Sequence, residues 1–186
     1  SMARLSGISL PDAAEALAKV PAVPGRMEPV PAPGLGCRIF IDFAHTPEAL
    51  AKALETLRPM TPGRIIAVFG CGGCRDKGKR PLMGAAAGQY ADLTVLTSDN
   101  PRTEDPLAII RDILPGLSGP HLVIPDRREA IFRALDLARP GDTVILCGKG
   151  HEITQETGDH RLPMDERQII AEYINAVSYT HLTLPT

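Results

Sequence analysis

Ala91-Asp92-Leu93-Thr94-Val95-Leu96 runs directly into Thr97-Ser98-Asp99-Asn100-Pro101-Arg102-Thr103-Glu104-Asp105-Pro106, and this junction decides the fold. The first six residues read as a buried strand. Beyond the junction, Leu107-Ala108-Ile109-Ile110-Arg111-Asp112-Ile113-Leu114 has helical spacing, with Asp105 as candidate N-cap and Pro106 at the first helical position. A polar loop therefore stands at the carboxyl end of a strand, where open α/β sheets bind ligands. Pro101 fixes its own φ and pushes Asn100 toward an extended conformation, so the Asn100 amide and the Arg102 guanidinium sit on a stiff loop. Together they offer donors and an acceptor to a molecule carrying both carboxylate and ammonium groups. An ordinary βα turn rich in turn formers accounts for this segment alone equally well.

The same alternation extends in both directions. Residues 37–42 read as a strand, followed by a helix over 47–57 with Thr46 as N-cap; residues 65–69 form a second strand, followed by a helix from near Arg80. Past the junction come a strand at 121–124, a helix over 130–138 behind the capping-box spacing of Asp126-Arg127-Arg128-Glu129, and a strand at 143–147. Asp165-Glu166-Arg167-Gln168 caps a final helix running to about Val177. The expected fold is α/β and Rossmann-like: a mostly parallel, doubly wound sheet with helices on both faces. Four loops, Asp42 to Thr46, Gly70 to Arg80, Thr97 to Arg102 and Cys147 to Glu152, then converge on one rim.

The 186 residues suffice for one domain with a fragment of another. A net charge of −2 with interspersed signs gives no basic stripe for nucleic acid. No apolar run approaches the roughly 18 residues of a membrane span, and no signal-peptide layout opens the chain, so a soluble cytoplasmic protein is expected. Four cysteines without a secretory signal argue against a disulfide framework. Scarce aromatics leave the core to Ala, Ile, Leu and Val, which suits a parallel sheet covered by helices.

Ser1-Met2-Ala3 reads as a cloning remnant or arbitrary truncation, followed by a short helical pattern over residues 11–20. Pro21, Pro24, Pro29, Pro31 and Pro33, with Gly25, Gly34 and Gly36, mark an interdomain linker or a strand-edge excursion. Residues 178–186 break the rhythm, match no element and read as a non-native tail.

Gly70-Cys71-Gly72-Gly73-Cys74-Arg75-Asp76-Lys77-Gly78-Lys79-Arg80 invites three readings. Gly73 to Lys79 fits a P-loop, but Arg80 stands where a Mg²⁺-ligating Ser or Thr is required. Cys71 and Cys74 suggest zinc or dithiol chemistry, yet no second ligand pair accompanies them. The favoured reading is an anion-binding loop, its glycines admitting a ligand to backbone N–H groups and Arg75, Lys77, Lys79 and Arg80 supplying charge beside a helix N-terminus. In Gly148-Lys149-Gly150-His151-Glu152, Glu152 is suited to hold an ammonium group, and the absence of a second His excludes a zincin. Asp42 stands at a strand end where the acid of a dinucleotide fold contacts ribose, but no Gly-x-Gly-x-x-Gly fingerprint precedes a helix.

With Gly25-Arg26-Met27-Glu28, Asp42-Phe43-Ala44-His45-Thr46-Pro47, the glycine loop, Asp99-Asn100-Pro101-Arg102 and Gly148-Lys149-Gly150-His151-Glu152 in this order, the chain resembles the Mur ligases from about Leu10 to Val177. The likeness is to those that add meso-diaminopimelate to UDP-N-acetylmuramoyl-L-alanyl-D-glutamate, and Asp99-Asn100-Pro101-Arg102 is the family's signature for diaminopimelate rather than lysine. The resemblance implies that residues 25–177 are the C-terminal amino-acid-binding domain of a three-domain, ATP-dependent ligase of peptidoglycan biosynthesis, serving cell-wall biogenesis, cell shape and cell division. Residues 1–24 would be the remnant of its central ATPase domain and a linker. Arg75, Asp99, Asn100, Pro101, Arg102, Gly148 and Glu152 would line the diaminopimelate site, while Arg26, Asp42 and His45 would reach the nucleotide on domain closure. ATP and Mg²⁺ would be bound mainly by the central domain, so the fragment alone is expected to be inactive, with no catalytic residue assignable. Cys74 stands where many family members carry an acidic or amide residue. The implied partners are the small-molecule substrates, with neither nucleic acid nor membrane. The alternatives are a lysine-adding or cyanophycin-type ligase, and a stand-alone amino-acid-binding module without ligase activity.

Overall fold

The structure, a computed structural model, describes residues 6–20 and 23–183, with side chains through Val177. An isolated helix, α1 (Leu10–Ala18), precedes β1 (Glu28–Val30), β2 (Arg38–Asp42), α2 (Pro47–Leu57), β3 (Ile65–Phe69), α3 (Lys79–Tyr90) and β4 (Leu93–Leu96). Then follow α4 (Pro106–Ile113), β5 (His121–Val123), α5 (Arg127–Leu137), β6 (Thr143–Cys147), the hairpin β7 (Thr154–Thr157) and β8 (His160–Pro163), and α6 (Glu166–Thr183). Helices α2, α4 and α5 begin where side chains accept orphan N–H groups of their first turns: Thr46 from Ala49, Asp105 from Leu107 and Asp126 from Glu129.

The six-stranded sheet has the order β1-β2-β6-β3-β4-β5, parallel throughout except for the antiparallel edge β1. Every residue of β3 and β6 is buried, as the uninterrupted apolar runs require of strands covered on both faces. Strand alternation sorts their side chains into two layers. Ile65, Ala67 and Phe69 pack beneath α2, α3 and α4 through Leu50, Leu54, Met83 and Ile110. Ile66 and Val68 pack on the opposite face beneath α5 and α6 through Ile131, Ala134 and Ile170. The expected doubly wound sheet with helices on both faces is thus observed.

Three segments depart from the sequence reading. Within the proline-rich stretch, residues 28–30 form the edge strand, where Pro29 faces Phe40 and its missing donor is tolerated. The β7–β8 hairpin was not expected, because its polar residues carry no apolar alternation. Helix α6 continues past Val177 to Thr183, through residues read as matching no element. Ser178 to Thr183 hold neither Gly nor Pro, and the first helix-incompatible residue is Pro185.

The carboxyl end of the sheet is tied together from below by Arg127, whose side chain is fully buried. Its Nη2 donates to the Cys147 carbonyl at 2.9 Å and its Nη1 to the Ser98 carbonyl at 3.2 Å, joining the ends of β6 and β4. Nε and Nη2 also donate to Glu166 Oε1 at 2.9 and 2.7 Å, which anchors α6. Removing one member of such a buried pair strands the other charge, so Arg127→Ala should cost about 3–5 kcal/mol of stability. Denaturant titration measures this; a loss below about 1 kcal/mol, the worth of an exposed pair, would remove Arg127 from that role.

Candidate functional site

The four loops predicted to converge do so, around an open cleft of about 380 Å³. Phe43 and His45 come from the loop after β2; Gly72, Arg75, Asp76 and Lys79 from that after β3; Asp99, Asn100 and Arg102 from that after β4; Gly148 and Glu152 from that after β6.

One side of the cleft rests on the fully buried Lys149 ammonium. Its Nζ donates to Asn100 Oδ1 at 3.0 Å and Glu152 Oε2 at 3.2 Å, and lies 3.7 Å from Asp99 Oδ1. Asn100 Nδ2 donates to the same Glu152 oxygen at 3.0 Å. The β4 loop is stitched to the hairpin: Gln155 Nε2 donates to the Asp99 carbonyl at 2.6 Å, and the Glu156 N–H to Asn100 Oδ1 at 2.9 Å. Arg102 takes the left-handed conformation, φ +53°, donates its N–H to the Glu156 carbonyl and accepts the Gly158 N–H. Its guanidinium is aimed by two contacts, Nε to Glu156 Oε2 at 2.9 Å and Nη1 to the Gly73 carbonyl at 2.8 Å. Arg75 is exposed and has no hydrogen-bond or ion-pair partner among the described residues, so its charge is free for a ligand. Lys79 donates to the His45 carbonyl at 2.8 Å.

The opposite rim is a small ring cluster. The Arg26 guanidinium lies 4.8 Å from the Phe43 centroid, with His45 and His151 at 4.6 and 5.4 Å from the same ring. Gly25 lets this segment close on the β6 loop, since a Cβ there would stand 2.3 Å from the His151 nitrogen.

Two expectations need correction. Arg80 and Lys77 are not free anion-binding charges: Arg80 is fully buried in a bidentate pair with Glu104 at 3.0 Å, with Asp112 at 2.8 Å, and Lys77 lies 3.4 Å from Glu104. The glycines at 70 and 73 serve loop-on-loop packing rather than ligand approach, because a Cβ would meet the Thr97 carbonyl oxygen at 2.1 Å and that of Pro101 at 1.9 Å. The Gly73 and Cys74 N–H groups are already spent on the Asn100 carbonyl and Glu104. Asp42 stands at the end of β2, and its two oxygens accept the Met27 and Ala44 N–H groups at 2.7 and 2.8 Å, fixing the segments that carry Arg26 and Phe43.

Lys149, Glu104, Arg127 and His151 escaped the sequence reading. Lys149 alone left a signal, a lysine between glycines just after the apolar run Val144-Ile145-Leu146-Cys147. Among the thiols, burial pushes Cys71 up to about 12, whereas the Thr103 hydroxyl lowers exposed Cys74.

The family described as Mur ligase, glutamate ligase domain, matches residues 25–150. A UDP-N-acetylmuramoyl-L-alanyl-D-glutamate–2,6-diaminopimelate ligase of Clostridium botulinum is 45% identical over 175 residues, 93% of this chain and 36% of the relative. The protein of that name from Caldanaerobacter subterraneus is 50% identical over 177 residues, 94% and 36% of the two chains. A solved structure of such a ligase superposes with a TM-score of 0.79 at 40% identity, covering 95% of this chain and 37% of that one. The chain thus spans about a third of the length of the curated relatives it matches.

The Glu104 hub predicts an acid limb of stability. The Arg80 guanidinium and the Cys74 N–H hold its carboxyl at about 2 instead of the ordinary 4.5. Its contribution is therefore complete above pH 4.5 and is lost as pH falls from 4.5 toward 2. Melting temperatures across that interval should fall less steeply for Glu104→Gln than for wild type; parallel curves would contradict the assignment.

Proposed function

The chain belongs to the Mur ligase family through its glutamate ligase domain, and from that premise we propose that it is the amino-acid-binding domain of an ATP-dependent ligase joining meso-diaminopimelate to UDP-N-acetylmuramoyl-L-alanyl-D-glutamate. The carrying observation is one cleft lined by groups of opposite sign: the free Arg75 and the aimed Arg102, and Glu152 with an oxygen unclaimed by any described donor. Relatives 45 and 50% identical bear the name of that reaction.

In this reading the two arginines take the distal carboxylate of diaminopimelate and Glu152 its neighbouring ammonium. Lysine lacks that carboxylate and leaves the Arg75 charge without the partner the ligand would supply, which favours diaminopimelate over lysine. The lysine-adding and cyanophycin-type alternatives are disfavoured accordingly. The Asp99, Asn100, Pro101 and Gly148 backbones hold these groups in place. Arg26 and His45 form the nucleotide-facing rim, with Asp42 acting through the backbone it fixes.

The chemistry proceeds in two balanced steps. The D-glutamate γ-carboxylate attacks the γ-phosphorus of ATP, releasing ADP; the neutral amine of diaminopimelate then attacks the acyl carbon, expelling phosphate and losing a proton as the amide forms. The residues described here bind and orient the amine donor. ATP and Mg²⁺ are assigned mainly to the central domain of the ligase. Helix α1 fits the end of a preceding ATPase domain, since it buries none of its own residues and exposes Leu10 and Leu17. No helix among the described residues is long and apolar enough to cross a membrane, and both the nucleotide substrates and the role in cell-wall growth, shape and division agree with a cytoplasmic setting.

In the full-length ligase, Arg102→Ala and Arg75→Ala should each raise the diaminopimelate KM by about 100-fold or more, the scale of a lost charged hydrogen-bond pair, and leave the ATP KM within about threefold. Steady-state kinetics with each substrate varied in turn decides; equal effects on both KM values would overturn the site.

A further inference from the structure

Lys149 lies behind the cleft, not in it, and its three partners, Asp99, Asn100 and Glu152, all line it. A fully buried ammonium is tolerated only when paired, so the arrangement constrains every group around it. We propose that Lys149 is the positioning residue of the ammonium subsite, orienting the Asn100 amide and holding two carboxylates together beneath one ligand cation. The inference rests on the amino-acid site proposed above.

Two observations carry it. Asn100 Oδ1 accepts from both Lys149 Nζ, at 3.0 Å, and the Glu156 N–H, at 2.9 Å, so the carbonyl end of the amide is saturated and its NH₂ end is set toward Glu152. That fixes which end of Asn100 is a donor on the cleft side. Second, the cluster is short of positive charge. Asp99 and Glu152 oppose the single ammonium of Lys149, and the Asp99 Oδ1 atom is buried without a hydrogen bond. None of the neighbouring cations ion-pairs with Asp99 or Glu152: Arg127 bonds Glu166, Arg102 shares Glu156 with Arg161, and Lys79, which keeps its charge, donates to the His45 carbonyl. Arg75 remains for the carboxylate of the ligand. One further cation completes the balance, and the ammonium of an amino acid has that charge and the donors for the free oxygens. Lys149 keeps the deficit of this cluster at one charge; without it the buried Asp99 and the partly exposed Glu152 carboxylates share the site and the amide is free to invert.

The test is made in the full-length ligase with Lys149→Met, and with Lys149→Gln, which retains a donor for Asn100, should the methionine variant fail to fold. The expected result is a diaminopimelate KM raised on the order of 100-fold, as for other buried charge partners, with the ATP and UDP-substrate KM values within about threefold. Removing one carboxylate along with the ammonium restores the original charge count, so Lys149→Met/Asp99→Asn should recover about tenfold of the lost KM, an interaction between adjacent sites that a double-mutant cycle reads directly. An unchanged diaminopimelate KM, an equal rise in all three KM values, or a double variant worse than the single one would overturn the proposal. A wild-type enzyme that uses lysine and not diaminopimelate would sink the substrate assignment, whereas the Lys149 cycle would then be read with lysine and stand or fall by itself.

Discussion

The loops leaving β3 and β4 meet backbone against backbone, and the rest of the site depends on that contact. A methyl group on Gly73 would stand 1.9 Å from the Pro101 carbonyl oxygen, so only glycine fits, and the Gly73 N–H donates to the Asn100 carbonyl at 2.8 Å. The Gly73 carbonyl in turn accepts from Arg102 Nη1. Each loop thereby supplies the other's missing partners. The stiffness expected from Pro101 alone is achieved jointly, by a proline on one loop and a glycine on its neighbour.

The sequence displays the parts of the fold that depend on periodicity. Continuous apolar runs at β3 and β6, capped helices at Thr46, Asp105 and Asp126, and one strand after another feeding a helix all follow from local chemistry. The convergence of four loops is then a matter of parallel-sheet geometry. What escaped depends on partners distant in sequence. Nothing near Arg80 shows that Glu104, 24 residues away, will neutralise it, and Arg127 finds Glu166 across 39 residues. A charged residue read singly looks like surface or ligand chemistry, and only the fold reveals which charges face inward. At Asp42 the sequence shows a carboxylate at a strand end, and only the fold reveals that it accepts the Met27 and Ala44 N–H groups.

The β7–β8 hairpin shows how a polar segment without a core of its own is fixed in place. None of its residues is buried, yet Gln155, Glu156 and Gly158 bond to Asp99, Asn100 and Arg102 in turn. The loop of the sequence signature and the hairpin therefore form one unit. Glu156 has a double duty there, donating its N–H to Asn100 and accepting the Arg102 guanidinium on its carboxylate. A pairing of this kind costs the arginine some of its reach toward a ligand and saves it the entropy of ordering on binding.

Charge at the carboxyl end of the sheet is consequently sorted by depth. Arg80, Arg127 and Lys149 are fully buried and each faces carboxylates, so they assemble loops and leave little field in the cleft. Arg102, partly exposed and held by Glu156, stands at the boundary, and Arg75 beyond it has no partner among the described residues. A cleft that exposed all these cations would attract any phosphate or carboxylate. Neutralising the deep ones leaves recognition to a few aimed groups and carboxylates of opposite sign, which favours a ligand that bears both charges at fixed separation over one that is merely anionic.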